Sequence, residues 1–259
     1  MSLARRFSLA VEALVEIKAE EDPQPASPIP AQPTLNGVLS EIGSLPDGAL
    51  FLGIAADGLP VLLNLQDAVT GPLLIAGDPS SGKTAFLKMI TRAIQQTHHS
   101  AAIQFGVITN RPEEWDDVPS TDHHVGVFSV QHNSAHDFIF SLASWAHSNQ
   151  SKQAVLLLID DLESIAKFDA DALQSLRWLF LRGTARNVWP VVTMNAERYG
   201  QVLSWIPMFR TRVFGKIEKE RVAEALGGDQ ASALNRLEAG TQFSLRENGG
   251  WLRFWLPSC

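Results

Sequence analysis

Residues 72–84 read Pro-Leu-Leu-Ile-Ala-Gly-Asp-Pro-Ser-Ser-Gly-Lys-Thr. Within this stretch Gly77, Gly82, Lys83 and Thr84 fill the pattern G-x-x-x-x-G-K-[ST], the phosphate-binding loop or P-loop. Leu73-Leu74-Ile75-Ala76 is a short apolar run that reads as a buried strand. Ala85 to Gln96 reads as a helix with Phe86, Met89, Ile90 and Ala93 on one face. A phosphate loop needs this setting. Its glycines let backbone N–H groups curl round an anion, and the helix N-terminus behind it adds partial positive charge. Gly77, Asp78, Pro79, Ser80, Ser81, Gly82, Lys83 and Thr84 are therefore the expected phosphate contacts. Lys83 would reach the β- and γ-phosphates, and the Thr84 hydroxyl would ligate Mg²⁺.

The remainder of the chain accommodates one α/β domain with appendages. Its 259 residues are 45% hydrophobic, enough for a full core. No apolar run approaches the ~20 residues of a membrane span. The net charge of −7 argues against a strongly basic nucleic-acid surface, although a ring-shaped pore can concentrate a few basic residues locally. The single cysteine, Cys259, excludes an internal disulfide and fits a reducing cytoplasm. At the start, Arg5-Arg6 precedes an apolar stretch that Glu12 and Glu16 interrupt, so no signal or twin-arginine segment is expected. Leu3, Phe7, Ala10, Leu14 and Ile17 fall instead at alternating four- and three-residue steps. That predicts an amphipathic helix over 1–20, able to dock on its own domain or on a protein partner. Prolines 23, 25, 28, 30 and 33 make 21–34 an extended linker, and the P-loop domain is expected over 35–259.

Phe51–Ala55 and Val61–Leu65 read as two strands joined across Asp57-Gly58. Further strands are expected at 102–108, 125–130, 154–159, 188–193 and 212–216. Helices are expected at 135–148, 169–186, 221–226 and 230–237, and a loop over 110–124. Residues 241–246 and 251–256 read as a closing hairpin. Alternation of strand and helix through the middle implies a mainly parallel sheet flanked by helices.

A phosphate loop works with a carboxylate at the end of a neighbouring strand. Val155-Leu156-Leu157-Leu158-Ile159 sets that strand, and Asp160 emerges at its C-terminal edge, where open α/β sheets bind ligands. Asp160 would complete the Mg²⁺ shell, and Asp161 would orient or deprotonate an attacking water. Val191-Val192-Thr193-Met194-Asn195 is a strand ending in an amide, either a γ-phosphate reader or a loop cap. Arg177, Arg182 and Arg186, and later Arg210 and Arg212, are candidates to reach a neighbouring subunit's phosphate or to form surface ion pairs. His123-His124 and His132/His136 lack the accompanying ligands of a metal site.

Residues 52–61, 73–84 and Leu157-Leu158-Ile159-Asp160-Asp161 together resemble the FtsK/SpoIIIE/HerA superfamily of hexameric ring motors that pump DNA or protein. The hairpin before the P-loop is the useful mark, because most other P-loop families lack it. Residues 182–195 and 206–214 resemble the superfamily's region after the acidic strand, and the terminal hairpin resembles its closing strands. The resemblance implies a RecA/AAA-like (ASCE) P-loop NTPase fold with hairpins before the P-loop and at the C-terminus. It implies ATP and Mg²⁺ as cofactors and a homo-oligomeric ring, as in hexameric relatives. It places Lys83 and Thr84 on nucleotide phosphate and Mg²⁺, Asp160 on the metal, Asn195 at a polar sensor position, and Arg177 or Arg182 near a trans-acting arginine. Three departures stand out. Asp161 occupies the place of a usual glutamate, which implies slow or absent hydrolysis. Thr109-Asn110-Arg111 stands where translocases often carry Asp-x-Lys. No separate DNA-orienting winged-helix domain is expected before Cys259. Ile103–Val107 and Asp122–Val127 resemble the ATPase modules of type VII secretion motors within the same superfamily.

The leading expectation is a cytoplasmic ATP-hydrolysing motor acting on DNA, with protein as the other polymer. A second is a nucleotide-binding scaffold that recruits a partner through the 1–20 helix. An AAA+ ATPase is a lesser third.

Overall fold

The strand signals before the P-loop do form a hairpin. In the computed structural model, which describes residues 33–228, 231–247 and 250–258, β1 (Ala49–Ala55) pairs antiparallel with β2 (Pro60–Asn64). Asp57 turns the chain between them, its carboxylate accepting the Leu59 N–H at 3.0 Å. Next come β3 (Leu73–Gly77), β4 (Ile103–Thr109), β5 (His124–Ser129), β6 (Ala154–Asp160), β7 (Val188–Asn195) and β8 (Thr211–Phe214). These run parallel in the order β8-β3-β7-β6-β4-β5. The closing hairpin, β9 (Gln242–Glu247) and β10 (Gly250–Trp255), joins the two parts: β9 lies antiparallel on β8, and β10 antiparallel on β1. One ten-stranded sheet results.

Continuous apolar strands belong in a sheet covered on both faces, and the burial pattern follows that rule. Along β3, Leu73 and Ile75 enter one core while Leu74 and Ala76 enter the other. The first core lies beneath α1 (Leu35–Ile42) and α2 (Lys83–Thr97), with Phe86, Ile90, Phe243 and Phe254 at its centre. The second lies beneath α3 (Asn133–Ser148), α4 (Ala170–Arg182) and α5 (Glu220–Gly227). The α2 face read from the sequence is buried as expected, with Leu87 and Ile94 added to it.

Several element boundaries differ from expectation. Helix α1 went unread, although Thr34 caps it by accepting the Gly37 N–H at 3.2 Å and Gly43 ends it at φ 77°. Helix α4 stops at Arg182 because the chain tightens into a 3₁₀ turn over Thr184–Arg186, which Asn187 closes at φ 62°. The stretch read as a helix over 230–237 is a 3₁₀ turn, Ala231–Arg236. The expected loop 110–124 contains another, Pro112–Trp115. The helix read over 1–20, and the linker apart from residues 33 and 34, lie outside the described residues.

Candidate nucleotide-binding site

Register brings the polar strand ends together. Gly77 of β3 pairs with Asn195 of β7, and Thr109 of β4 with Asp160 of β6. The strand β7 sits between the P-loop strand and the acidic strand, with Asn195 at its C-terminal end. A cleft of about 630 Å³ opens over this edge, lined by the P-loop, Asp161, Glu163, Asn195 and residues of the surrounding turns.

The P-loop is held in shape from outside. The Asp78 N–H donates to the Lys216 carbonyl at 2.9 Å, and the Asp78 carboxylate accepts the Glu218 N–H at 2.7 Å. The Gly240 N–H donates to the Ser81 carbonyl at 3.2 Å. Gly82 must be glycine on two counts. Its φ is 92°, and a Cβ there would stand 2.7 Å from the Gly240 Cα. Gly82 also opens α2 without a side-chain cap, which leaves first-turn N–H groups available to an anion. Lys83 folds back across the loop, donating to the carbonyls of Gly77 at 3.1 Å and Asp78 at 2.8 Å. Burial pushes the pKa of its ammonium down, against the opposing pull of Asp161, Glu163, Asp160 and Asp78. A phosphate would supply the oxygens that these carbonyls now provide.

Facing the loop, Asp160 is 1% exposed. Burial raises the pKa of its carboxyl, Asp161 adds to the rise, and hydrogen bonds from Thr193 and Thr84 oppose it. The Thr84 hydroxyl lies 3.1 and 3.2 Å from the two Asp160 oxygens. These two hard oxygen donors fit Mg²⁺, which takes one or two protein oxygens and completes its octahedron with water and phosphate. Among the described residues no group of three His, Cys, Asp or Glu side chains could hold a metal without such help. Thr193 ties the acidic pair together: its hydroxyl donates to Asp160 at 2.9 Å and accepts the Asp161 N–H at 2.8 Å. Asp161 itself sits at φ 74°, ψ 93°, a strained backbone for a non-glycine residue. The Ser164 hydroxyl pins that kink by donating to the Asp161 carbonyl at 2.6 Å.

The remaining expected residues divide. Asn195 lines the cleft and also caps a turn, its Oδ1 accepting the Glu197 N–H at 3.0 Å. Arg177 and Arg182 lie on α4, exposed and outside the cleft lining, with the Arg177 guanidinium 5.0 Å from the Trp205 ring centre. Arg212 is neither a surface pair nor a reaching arginine. It turns inward and donates to the carbonyls of Ile206, Phe209 and Leu226 at 3.0–3.1 Å. Of the histidines, His136 faces Asp169 at 3.3 Å and His124 stacks on Phe105.

Sequence reading passed over Glu163, Thr193 and Arg111 as site residues. Arg111 enters the cleft, 3.7 Å from the Asp161 carboxylate and ion-paired to Glu114. Thr193 was legible, since it lies two residues before Asn195 and so on the same side of β7. Lys83, Arg111, Lys167 and Arg198 line the cleft together with the carboxylates Glu114, Asp161 and Glu163.

No family profile and no curated protein matches this sequence. Solved structures do match. The cytoplasmic domain of the type VII secretion ATPase EccC from Thermomonospora curvata superposes with a TM-score of 0.71 at 14% identity, over 88% of this chain and 32% of that one. The cytoplasmic domain of EssC gives 0.64 at 14% identity, over 95% and 51%. The pCW3 conjugation coupling protein TcpA, solved with ATPγS, gives 0.62 at 13% identity, over 89% and 71%. The chain thus spans about a third of the EccC protein and half of the EssC one. Among the described residues no helix is long and apolar enough to cross a membrane. The α/β fold of this chain, with its mainly parallel sheet flanked by helices, is thus shared with the EccC and EssC cytoplasmic domains and with TcpA.

Proposed function

We propose that this chain binds ATP with Mg²⁺ between the Lys83 loop and the Asp160 strand edge, and hydrolyses it as the motor module of a ring-shaped translocase. The observation that carries this reading is the Thr84–Asp160 contact opposite Lys83, with β7 between their strands. Lys83 and the loop N–H groups hold the β- and γ-phosphates. Thr84 and Asp160 hold Mg²⁺, which supplies charge neutralisation on the phosphates. Asp161 orients water, Asn195 senses the γ-phosphate, and Arg177 or Arg182 of an adjacent copy in a homo-oligomeric, hexameric ring completes the site.

For the polymer, a net charge of −7 favours protein over DNA, and the type VII secretion ATPases among the fold's neighbours point the same way. DNA is the second reading, supported by the general habit of the superfamily and by the fold of a viral genome-packaging NTPase at a TM-score of 0.50. The 1–20 segment, amphipathic in sequence, recruits a protein partner.

Calorimetric titration of ATP in Mg²⁺ buffer, then phosphate release with and without duplex DNA, tests the reading. Uptake that Lys83→Ala abolishes supports it, and DNA-stimulated turnover would promote the second polymer. Folded protein that takes up no ATP, ADP or GTP ends it. Tight ATP uptake without turnover would leave a nucleotide-gated scaffold.

A further inference from the structure

The carboxylates around Lys83 are not equivalent. Asp160 is occupied by Thr84 and Thr193. Asp161 faces the Arg111 guanidinium at 3.7 Å. Glu163 differs from both. Its Oε1 accepts the Asn195 N–H at 2.7 Å, which fixes the side chain. Its Oε2 is buried, lies in a residue lining the cleft, and accepts no hydrogen bond from the described residues. A buried acceptor without a donor is rare in folded proteins and calls for an explanation. It lines the same cleft as Lys83, whose ammonium its charge attracts. Burial also raises the pKa of the Glu163 carboxyl, the direction that makes a carboxylate a better proton acceptor near neutral pH.

We propose that Glu163, not Asp161, is the proton acceptor for the water that attacks the γ-phosphate, and that the Arg111-held Asp161 orients that water. The proposal rests on the ATP-hydrolysis reading above. In the step, the water oxygen bonds to the γ-phosphorus as the bond to the β–γ bridging oxygen breaks. ADP departs with that electron pair. One water proton passes to Oε2 of Glu163 and is then released to solvent, while the other stays on the phosphate. The arrangement offers a physical answer to the missing glutamate at position 161. The longer carboxylate stands two residues further on, and the kink at Asp161, held by Thr193 and Ser164, lets the chain present it from the first turn after the strand.

The test compares Glu163→Gln with Asp161→Asn in the full chain. The glutamine keeps an oxygen for the Asn195 N–H and so should fold, as thermal melting would check. ATP uptake is measured first by calorimetry, and its absence in the wild type would end the parent reading rather than this one. Given uptake, Glu163→Gln is expected to lower kcat at least ~100-fold, with ATP affinity and KM within ~3-fold. Asp161→Asn should lower kcat by about tenfold. Wild-type protein that binds ATP but releases no phosphate overturns the assignment. So does a kcat for Glu163→Gln at or above that of Asp161→Asn, or a loss in Glu163→Gln that falls on affinity instead of kcat.

Discussion

The parallel and antiparallel halves of the sheet share a core and differ in what their strand ends do. In β8-β3-β7-β6-β4-β5 the strands run in one direction, so their C-terminal ends gather on one edge. Gly77, Thr109, Asp160 and Asn195 all emerge there. In β2-β1-β10-β9 direction alternates, and no edge collects like-facing loops. That half contributes packing area instead. Phe243 and Phe254 meet Phe86 of α2 with ring centres 4.8 and 5.8 Å apart, and Gly240, just before β9, braces Gly82. Topology thus places the chemistry in one half and the support for the phosphate-loop helix in the other.

The sharpest way to break this division is Phe254→Ala. The ring is fully buried between Phe86, Phe243 and Gly53. Removing it should cost about 3–5 kcal/mol of unfolding free energy in a urea titration, through lost transfer energy and a residual cavity. ATP affinity of the protein that remains folded should change less than ~3-fold if the antiparallel half is support alone. A parallel fall in affinity would show that the two halves act as one.

Lys83→Ala is the converse variant. ATP uptake should weaken at least ~100-fold, which corresponds to about 2.7 kcal/mol. Thermal stability of the nucleotide-free protein should change little, because the lysine's two carbonyl bonds are set against the burial that lowers its pKa. A large drop in melting temperature with unchanged uptake would make Lys83 a structural residue.

The sequence revealed the parallel half more fully than its detail. Unbroken apolar runs stand out wherever a strand is buried on both faces, and Val155–Ile159 announced β6 and the position of Asp160 without ambiguity. The P-loop and the flank of α2 were legible for the same local reason. What escaped depended on contacts between distant segments. Nothing near Gly82 in the chain shows that Gly240 will press against it. Glu163 was overlooked because its role follows from a kink at Asp161 and a hydrogen bond to the strand ending at Asn195, neither of which a local pattern encodes. Arg212 was misread because an arginine at a strand start resembles a surface residue until the carbonyls it serves are in place. Helix α1, by contrast, was available in the spacing of Leu35, Val38 and Leu39 between Thr34 and Gly43.

Glu163→Gln sharpens the comparison through pH. Burial raises the folded-state pKa of Glu163 above its unfolded value of about 4.3. The stability this group contributes is therefore complete below that unfolded value and is lost as pH rises through the folded one. Glutamine does not titrate, so the variant's stability relative to wild type should climb in nucleotide-free melts as pH rises from the unfolded value through the raised folded one. A gap that shrinks with rising pH would mean that Lys83 and the Asn195 N–H outweigh burial.

The smallest expected effect lies on the outer face of α2, away from both the cleft and the aromatic support. Asp117 accepts from Lys88 at 2.6 Å and from Arg92 at 2.8 Å, and its side chain is 52% exposed. The Lys88 hydrogen bond lowers its pKa. Its stabilisation is then present above the unfolded value of about 3.9 and is lost as pH falls through the folded one. Solvent screens an exposed pair, so Asp117→Asn should destabilise by less than about 1 kcal/mol at neutral pH, and the difference should fade in about 1 M salt. A loss that survives high salt would mean that Asp117 anchors the 3₁₀ turn at Pro112–Trp115 to α2, and through it the loop that brings Arg111 into the cleft.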